Sequence, residues 1–177
     1  MRIHTLALVL AVGSLLAGCE SMSEDQCRRA DWFERGRDDG RSGEPEGYVE
    51  DHRKACAKAG VVPDERRWRQ GWAEGVRSFC IPRVAWQRGL DNGSYGGACR
   101  DLDESSWMAW FRAGQDARKT RIERENRKRE IDKLEEQLKK TDKDDERKSL
   151  REKIRQLDVE QTRLRRLLEA QMSGAPK

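Results

Sequence analysis

Four phrases between residues 32 and 118 each set an aromatic residue three or four positions before a glycine. The phrases begin Trp32-Phe33-Glu34-Arg35-Gly36, Trp68-Arg69-Gln70-Gly71, Trp86-Gln87-Arg88-Gly89 and Trp110-Phe111-Arg112-Ala113-Gly114. In three of them a second glycine stands four residues further on, at Gly40, Gly75 and Gly93. On a helix these spacings bring the ring and the glycines to one face. A glycine inside a helix costs about 1 kcal/mol relative to alanine. A cost repeated this often points to close backbone approach by another helix or a tryptophan ring, or to glycines that end short helices in a left-handed conformation. The functional reading of the same residues is an aromatic-lined groove for a glycan or a peptide, walled by Trp32, Gly36, Gly40, Trp68, Gly71, Gly75, Trp86 and Gly89.

The compartment follows from the first residues. One arginine, Arg2, precedes an almost purely apolar run over 6–16, and small residues close it. These are the parts of a secretory signal, and the run falls short of the ~20 residues a membrane-crossing helix needs. Leu16-Ala17-Gly18-Cys19 resembles the bacterial lipobox. That resemblance implies removal of residues 1–18 and lipidation of Cys19, and two or three acyl chains hold a protein stably in a leaflet. Glu20, rather than aspartate, follows the cysteine, so the expected address is the outer membrane, facing the periplasm.

An oxidising compartment changes how the other cysteines are read. Cys27, Cys56, Cys80 and Cys99 are even in number and suit two disulfides in a small core that needs covalent help. Three connectivities are open; pairing of sequence neighbours, Cys27–Cys56 and Cys80–Cys99, is the expectation. The rival is a metal site using His52 and Cys56, one helical turn apart, but zinc needs further reduced thiolates and no close CxxC pair exists. No metal or other cofactor is expected.

Charge divides the chain near residue 117. Residues 20–117 hold sixteen Lys/Arg against nineteen Asp/Glu, whereas residues 118–177 hold twenty against fourteen. All six tryptophans lie in the first part, and the second is built chiefly from charged residues, glutamine and leucine. Breakers place helices in the first part at about 24–41, 48–59, 64–78 and 84–91, with Asp64 as an N-cap and 92–97 as a loop. No sustained period-two alternation predicts a sheet. In the second part, Ile131, Leu134 and Leu138 fit steps of three and four, as do Leu150, Ile154, Leu157, Leu164 and Leu168 in a shifted register. The shift falls across Thr141-Asp142-Lys143-Asp144-Asp145, so two antiparallel helices over 105–140 and 145–171 are preferred to one continuous helix with a heptad break.

The expected fold is therefore all-α: a small disulfide-stapled helical domain followed by a long helical hairpin or coiled coil. Its segments are a signal peptide at 1–18, a lipidated N-terminus and short linker at 19–26, the Cys/Trp/Gly domain at 27–117, a charged arm at 118–172 and a disordered tail at 173–177. The order Cys27, Asp31-Trp32, Gly36, Asp39-Gly40, Gly43, Cys56, Gly71, Gly75, Phe79-Cys80 and Tyr95-Gly96-Gly97-Ala98-Cys99 resembles a domain of unknown function found in short proteobacterial lipoproteins. The resemblance runs over about residues 27–114, with Trp68 and Phe79 where tyrosines are expected. It implies no activity and no catalytic residues.

Catalytic patterns are scarce. His52 is the sole histidine beyond the leader, and no serine stands in a GxSxG setting. The acidic pairs Asp38-Asp39 and Glu44/Glu46 have no partner that marks them for acid–base work, and no phosphate loop or dinucleotide fingerprint occurs. The expectation is a non-enzymatic envelope lipoprotein: membrane-held through its lipid, with a coiled-coil arm for an envelope protein partner and no nucleic acid. Its alternative is peptidoglycan or glycan binding by the Trp/Gly-rich domain.

Overall fold

The computed structural model describes residues 21–177, and Cys19 with the leader lies outside them. Seven α-helices follow one another: α1 (Glu24–Arg28), α2 (Trp32–Ser42), α3 (Val49–Cys56), α4 (Glu65–Phe79), α5 (Pro82–Leu90), α6 (Glu104–Lys140) and α7 (Asp144–Ser173). Short 3-10 turns flank α3 on both sides. No strand occurs among the described residues.

Local chemistry explains the boundaries. Ser23 and Gln26 form a reciprocal capping box at the start of α1. The single helix expected over 24–41 is instead two. Asp31 adopts an extended conformation and its carboxylate accepts from the N–H groups of Phe33, at 2.9 Å, and Glu34, at 3.3 Å. An aspartate able to satisfy those orphan donors starts a new helix more readily than it continues an old one. Gly43 ends α2 in the left-handed conformation, φ 84°. Asp64 and Asp103 cap α4 and α6, and Pro82 opens α5, where its missing N–H removes no helical bond.

Two helix crossings form the head, and they are built alike. In the first, α2 lies against α4: a Cβ on Gly36 would fall on the carbonyl oxygen of Trp68, and one on Gly71 on that of Phe33. In the second, α5 lies against α6: Gly114 meets the carbonyl oxygen of Trp86, and Gly89 that of Phe111. Each crossing thus pairs a Trp-Phe-x-x-Gly helix with a Trp-x-x-Gly helix, in opposite chain order. Gly40 and Gly75 extend the first contact along α2 and α4. Gly93 has no such role, because it lies beyond the end of α5 against the side chain of Arg88.

One disulfide staples each half. Cys27 at α1 is bonded to Cys56 at the end of α3, and Cys80 after α4 to Cys99 before α6, both with Cα atoms 5.5 Å apart. Around the first pack Met22, Trp32, Val49 and Trp68; around the second pack Val76, Phe79, Ala85, Trp107 and Phe111. Trp72 touches both clusters. Trp107 stacks between Tyr95 and Phe111, with centroids at 4.2 and 5.2 Å, and its indole N–H donates to the carbonyl of Phe79 at 3.1 Å.

The arm is a hairpin. α6 runs from the head without interruption, so head and arm share one helix of 37 residues, and α7 of 30 residues returns beside it. At 1.5 Å per residue these span about 55 and 45 Å. Gln161 donates to the carbonyl of Arg124 at 2.8 Å, and Arg127 pairs with Glu160 at 3.0 Å, which fixes the antiparallel register. Near the turn Arg147 donates to the carbonyls of Leu138 and Thr141. The last residues do not trail away: Leu168 and Ala175 pack on Trp86, Leu90 and Ala117.

Candidate functional site

The contact face of α2 carries Trp32, Gly36, Asp39 and Gly40, all buried. Three of these suit a helix crossing; Asp39 does not. At the equivalent position of the second crossing, three residues after Gly114, stands Ala117, fully buried and packed with Trp86. The first crossing has exchanged an apolar contact for a carboxylate, and a polar network has grown around it.

Asp39 Oδ2 lies 2.7 Å from His52 Nε2 and 2.8 Å from Trp68 Nε1. His52 Nδ1 lies 2.9 Å from the hydroxyl of Ser21. Three helices thus converge on one carboxylate: α2 brings Asp39, α3 His52 and α4 Trp68. Arg35, one turn before Asp39, places its guanidinium 4.0 Å from Oδ1. His52 and Trp68 are 0% exposed and Asp39 6%. The edge of Tyr48 meets the imidazole at 4.9 Å between centroids.

Asp39 Oδ2 accepts from the Trp68 indole N–H and shares a hydrogen bond with His52 Nε2, while Nδ1 shares one with the Ser21 hydroxyl. The Ser21 hydroxyl, both ring nitrogens of His52, Asp39 Oδ2 and the Trp68 indole are thus matched, as buried polar groups require, while Oδ1 faces Arg35 at 4.0 Å. Nearby charges feel the enclosed carboxylate. Burial, and next the charge of Asp39, hold the Glu44 carboxyl above the usual carboxylate range. Burial, with Glu44 and Asp39 following, pushes the Tyr48 phenol up.

Ser21, His52 and Asp39 share the serine–imidazole–carboxylate connectivity of hydrolytic sites. Here the imidazole is enclosed by Tyr48, Trp32 and Trp68, and both of its nitrogens are engaged. The hydrogen bond to His52 fastens Ser21 to the core. Beside it Met22 is 2% exposed among Cys27, Trp32 and Trp68. The short linker expected at 19–26 is therefore built into the domain from Ser21 onward.

The expected groove residues have other partners. Trp32, Trp68 and Trp86 are buried, and Gly36, Gly40, Gly71, Gly75 and Gly89 abut backbone atoms of the facing helix. They do not line an open groove: the space left by each missing side chain is filled by helix backbone. Close approach, rather than helix ending, is what these glycines serve. Cys56 is bonded to Cys27 and His52 to Ser21 and Asp39, so this one-turn pair does not converge on an ion. Cys19 lies outside the described residues.

Sequence reasoning passed over Ser21 and read Asp39 only as half of an acidic pair and as part of the family pattern. Asp39 had a signal, being an acidic group at helical spacing with Trp32 and Gly36. Ser21 had none, because its partner lies 31 positions away.

No curated protein and no solved structure matches the chain. A family model does, over residues 31–116. That segment takes in both helix crossings, Asp39, His52, Trp68 and three of the four disulfide cysteines, and it leaves out Ser21, Cys27 and nearly all of the arm. Residues 31–116 are thus similar to the family described as Protein of unknown function (DUF2799).

Proposed function

We propose that the chain is a non-enzymatic envelope lipoprotein, lipidated at Cys19 in the outer membrane and facing the periplasm, whose hairpin arm contacts another envelope protein. The observation that carries this reading is the coupling of Ser21 and Met22 to the core. A single residue, Glu20, separates the lipobox cysteine from the first anchored side chain. A lipid on Cys19 holds the head at the bilayer with almost no tether, and a stiff helix shared by head and arm then sets where the arm's tip is presented. No transmembrane span is needed for this, and no helix among the described residues is long and apolar enough to cross a membrane.

The arm suits a protein contact because both helices are continuous and the charges of residues 129–160 are interleaved, which favours a specific partner over indiscriminate apolar association. Photo-crosslinkers placed along α6 and α7 in living cells, followed by mass spectrometry, test the reading. One envelope protein captured reproducibly from positions on one face of the arm is the expected result. Recovery of the chain in the soluble fraction of cells, without acyl groups on Cys19, defeats it.

A further inference from the structure

The positive excess of the arm is not spread along it. Residues 118–128 and 161–168 hold nine Lys/Arg and two Asp/Glu, whereas residues 129–160, the far part of the hairpin, hold ten and eleven. The cationic band sits where α6 leaves the head and α7 returns to it. Among the described residues, the band's ion pairs within 4 Å are those of Arg127, Lys128 and Arg165. Arg118, Lys119, Arg121, Arg124, Arg163 and Arg166 face no carboxylate of the described residues at that range. Six such cations, four within two turns of α6 and two on one turn of α7, repel one another, an arrangement that a bound anion relieves.

The band also contains a recess. Gln161 takes a seam position that leucines fill elsewhere, and its amide donates to the backbone of Arg124. Beside that contact opens a cleft of about 290 Å³ lined by Arg124, Glu125, Lys128, Gln161, Thr162 and Arg165. Guanidinium groups from both helices, an ammonium and a hydroxyl surround the space, with Glu125 the one carboxylate in the lining, while Lys128 and Arg165 also pair with Asp132 and Glu169. Planar guanidinium donors and a point-charge ammonium match the several oxygens of a phosphate group.

We propose that this cleft at the root of the arm binds a phosphate-bearing anion, gripped from both helices by Arg124, Lys128 and Arg165. The same chemistry is offered by a free oligophosphate and by the headgroup of an anionic lipid.

Titration calorimetry of the full-length chain in mild neutral detergent, with inorganic tripolyphosphate and separately with a short-chain phosphatidylglycerol, distinguishes the sources. Tighter binding of the first marks a soluble ligand, and tighter binding of the second a headgroup. In either case Arg124→Gln/Lys128→Gln/Arg165→Gln weakens binding at least tenfold, and Lys139→Gln/Lys140→Gln at the far end leaves it within twofold. Should the triple variant lose helical signal, Lys128→Gln alone, whose side chain is 71% exposed, weakens binding at least threefold. The proposal is overturned if neither probe binds, or if the far-end variant weakens binding as much as the cleft variants do.

Discussion

The hydroxyl of Ser21 meets Nδ1 of His52 at 2.9 Å, across 31 positions of sequence. That contact makes the N-terminal segment part of the folded head, and it ends a chain of bonds whose other members are deeply enclosed. The two ends of the contact therefore differ in what their removal does. Ser21→Ala deletes a hydroxyl at the edge and is expected to cost about 1 kcal/mol. His52→Ala opens a cavity and strips a partner from the buried Asp39 carboxylate, and is expected to cost about 3 kcal/mol or more. Urea unfolding measures both. Hydrogen exchange separates them: Ser21→Ala speeds exchange at residues 21–23 alone, whereas His52→Ala also loosens α3. Equal and global effects of the two variants would show that Ser21 is not a peripheral member.

The glycines of the two crossings give a sharper test of packing. Alanine at an interior helix position adds about 1 kcal/mol of propensity, so an exposed glycine of α2 or α6 would be improved by it. At Gly36 and Gly114 the new methyl instead falls on a carbonyl oxygen of the facing helix, and the helices must separate. Gly36→Ala and Gly114→Ala are each expected to destabilise by more than 3 kcal/mol, beyond the usual range for one added methyl in a core. Gly47→Ala is the comparison: nothing lies within 4 Å of a Cβ there, and its effect is expected within about 0.5 kcal/mol. Thermal melting of the three variants decides, and a stabilised Gly36→Ala would mean that the crossing is looser than described.

These same residues show what a sequence reveals and what it conceals. The recurring Trp–Gly spacing displayed the helix faces, and the even cysteine count displayed the staples, because both are local patterns with one dominant physical cause. The hairpin was legible from the register shift at 141–145, where no seam residue can be kept in phase. Which helix meets which was hidden: Gly36 and Trp68 stand 32 positions apart, and any two of the four phrases could have paired. The network at Asp39 was hidden for a related reason. A carboxylate on a helix reads as solvated until the facing helix supplies an indole and a neighbouring one an imidazole. The break at Asp31 was missed because capping chemistry outweighed an otherwise continuous helical stretch.

Tyr95 gives a pH dependence with a definite sign. Its phenol donates to Glu104 at 2.8 Å and accepts from the N–H of Cys99 at 3.0 Å. Burial first, then the bond to Glu104, pushes its pKa up from 10.0 to about 12. Between those values the unfolded chain has released a proton that the folded chain still holds. Stability is therefore full below pH 10 and falls as pH rises toward 12. Tyr95→Phe keeps the ring stack on Trp107, loses both hydrogen bonds, and is expected to be about 1–2 kcal/mol less stable at pH 8. Denaturant midpoints at pH 8, 10 and 11 are expected to drop more steeply for the parent chain than for the variant. Parallel slopes would assign the alkaline loss to other groups.

The two disulfides close loops of similar size, with sequence separations of 29 and 19. In the chain-entropy account each is worth about 3–4 kcal/mol, so loop length alone predicts nearly equal losses on removal. Their surroundings differ. Cys80 is only half-buried, whereas Cys27 and Cys56 are 2% and 0% exposed, and the latter bond also ties α1, and through it Ser21 and Met22, to α3. Graded dithiothreitol followed by alkylation and mass spectrometry is expected to open Cys80–Cys99 first, because a thiolate must reach a sulfur to attack it. Cys27→Ser/Cys56→Ser is expected to be the more damaging pair, since it leaves two buried hydroxyls in an apolar cluster and releases the N-terminal segment. Its melting temperature should lie below that of Cys80→Ser/Cys99→Ser, and exchange at residues 21–28 should rise in the first pair alone. Reversed order in both measurements would mean that the N-terminal segment holds to the head without its staple, with the Ser21–His52 contact sufficient by itself.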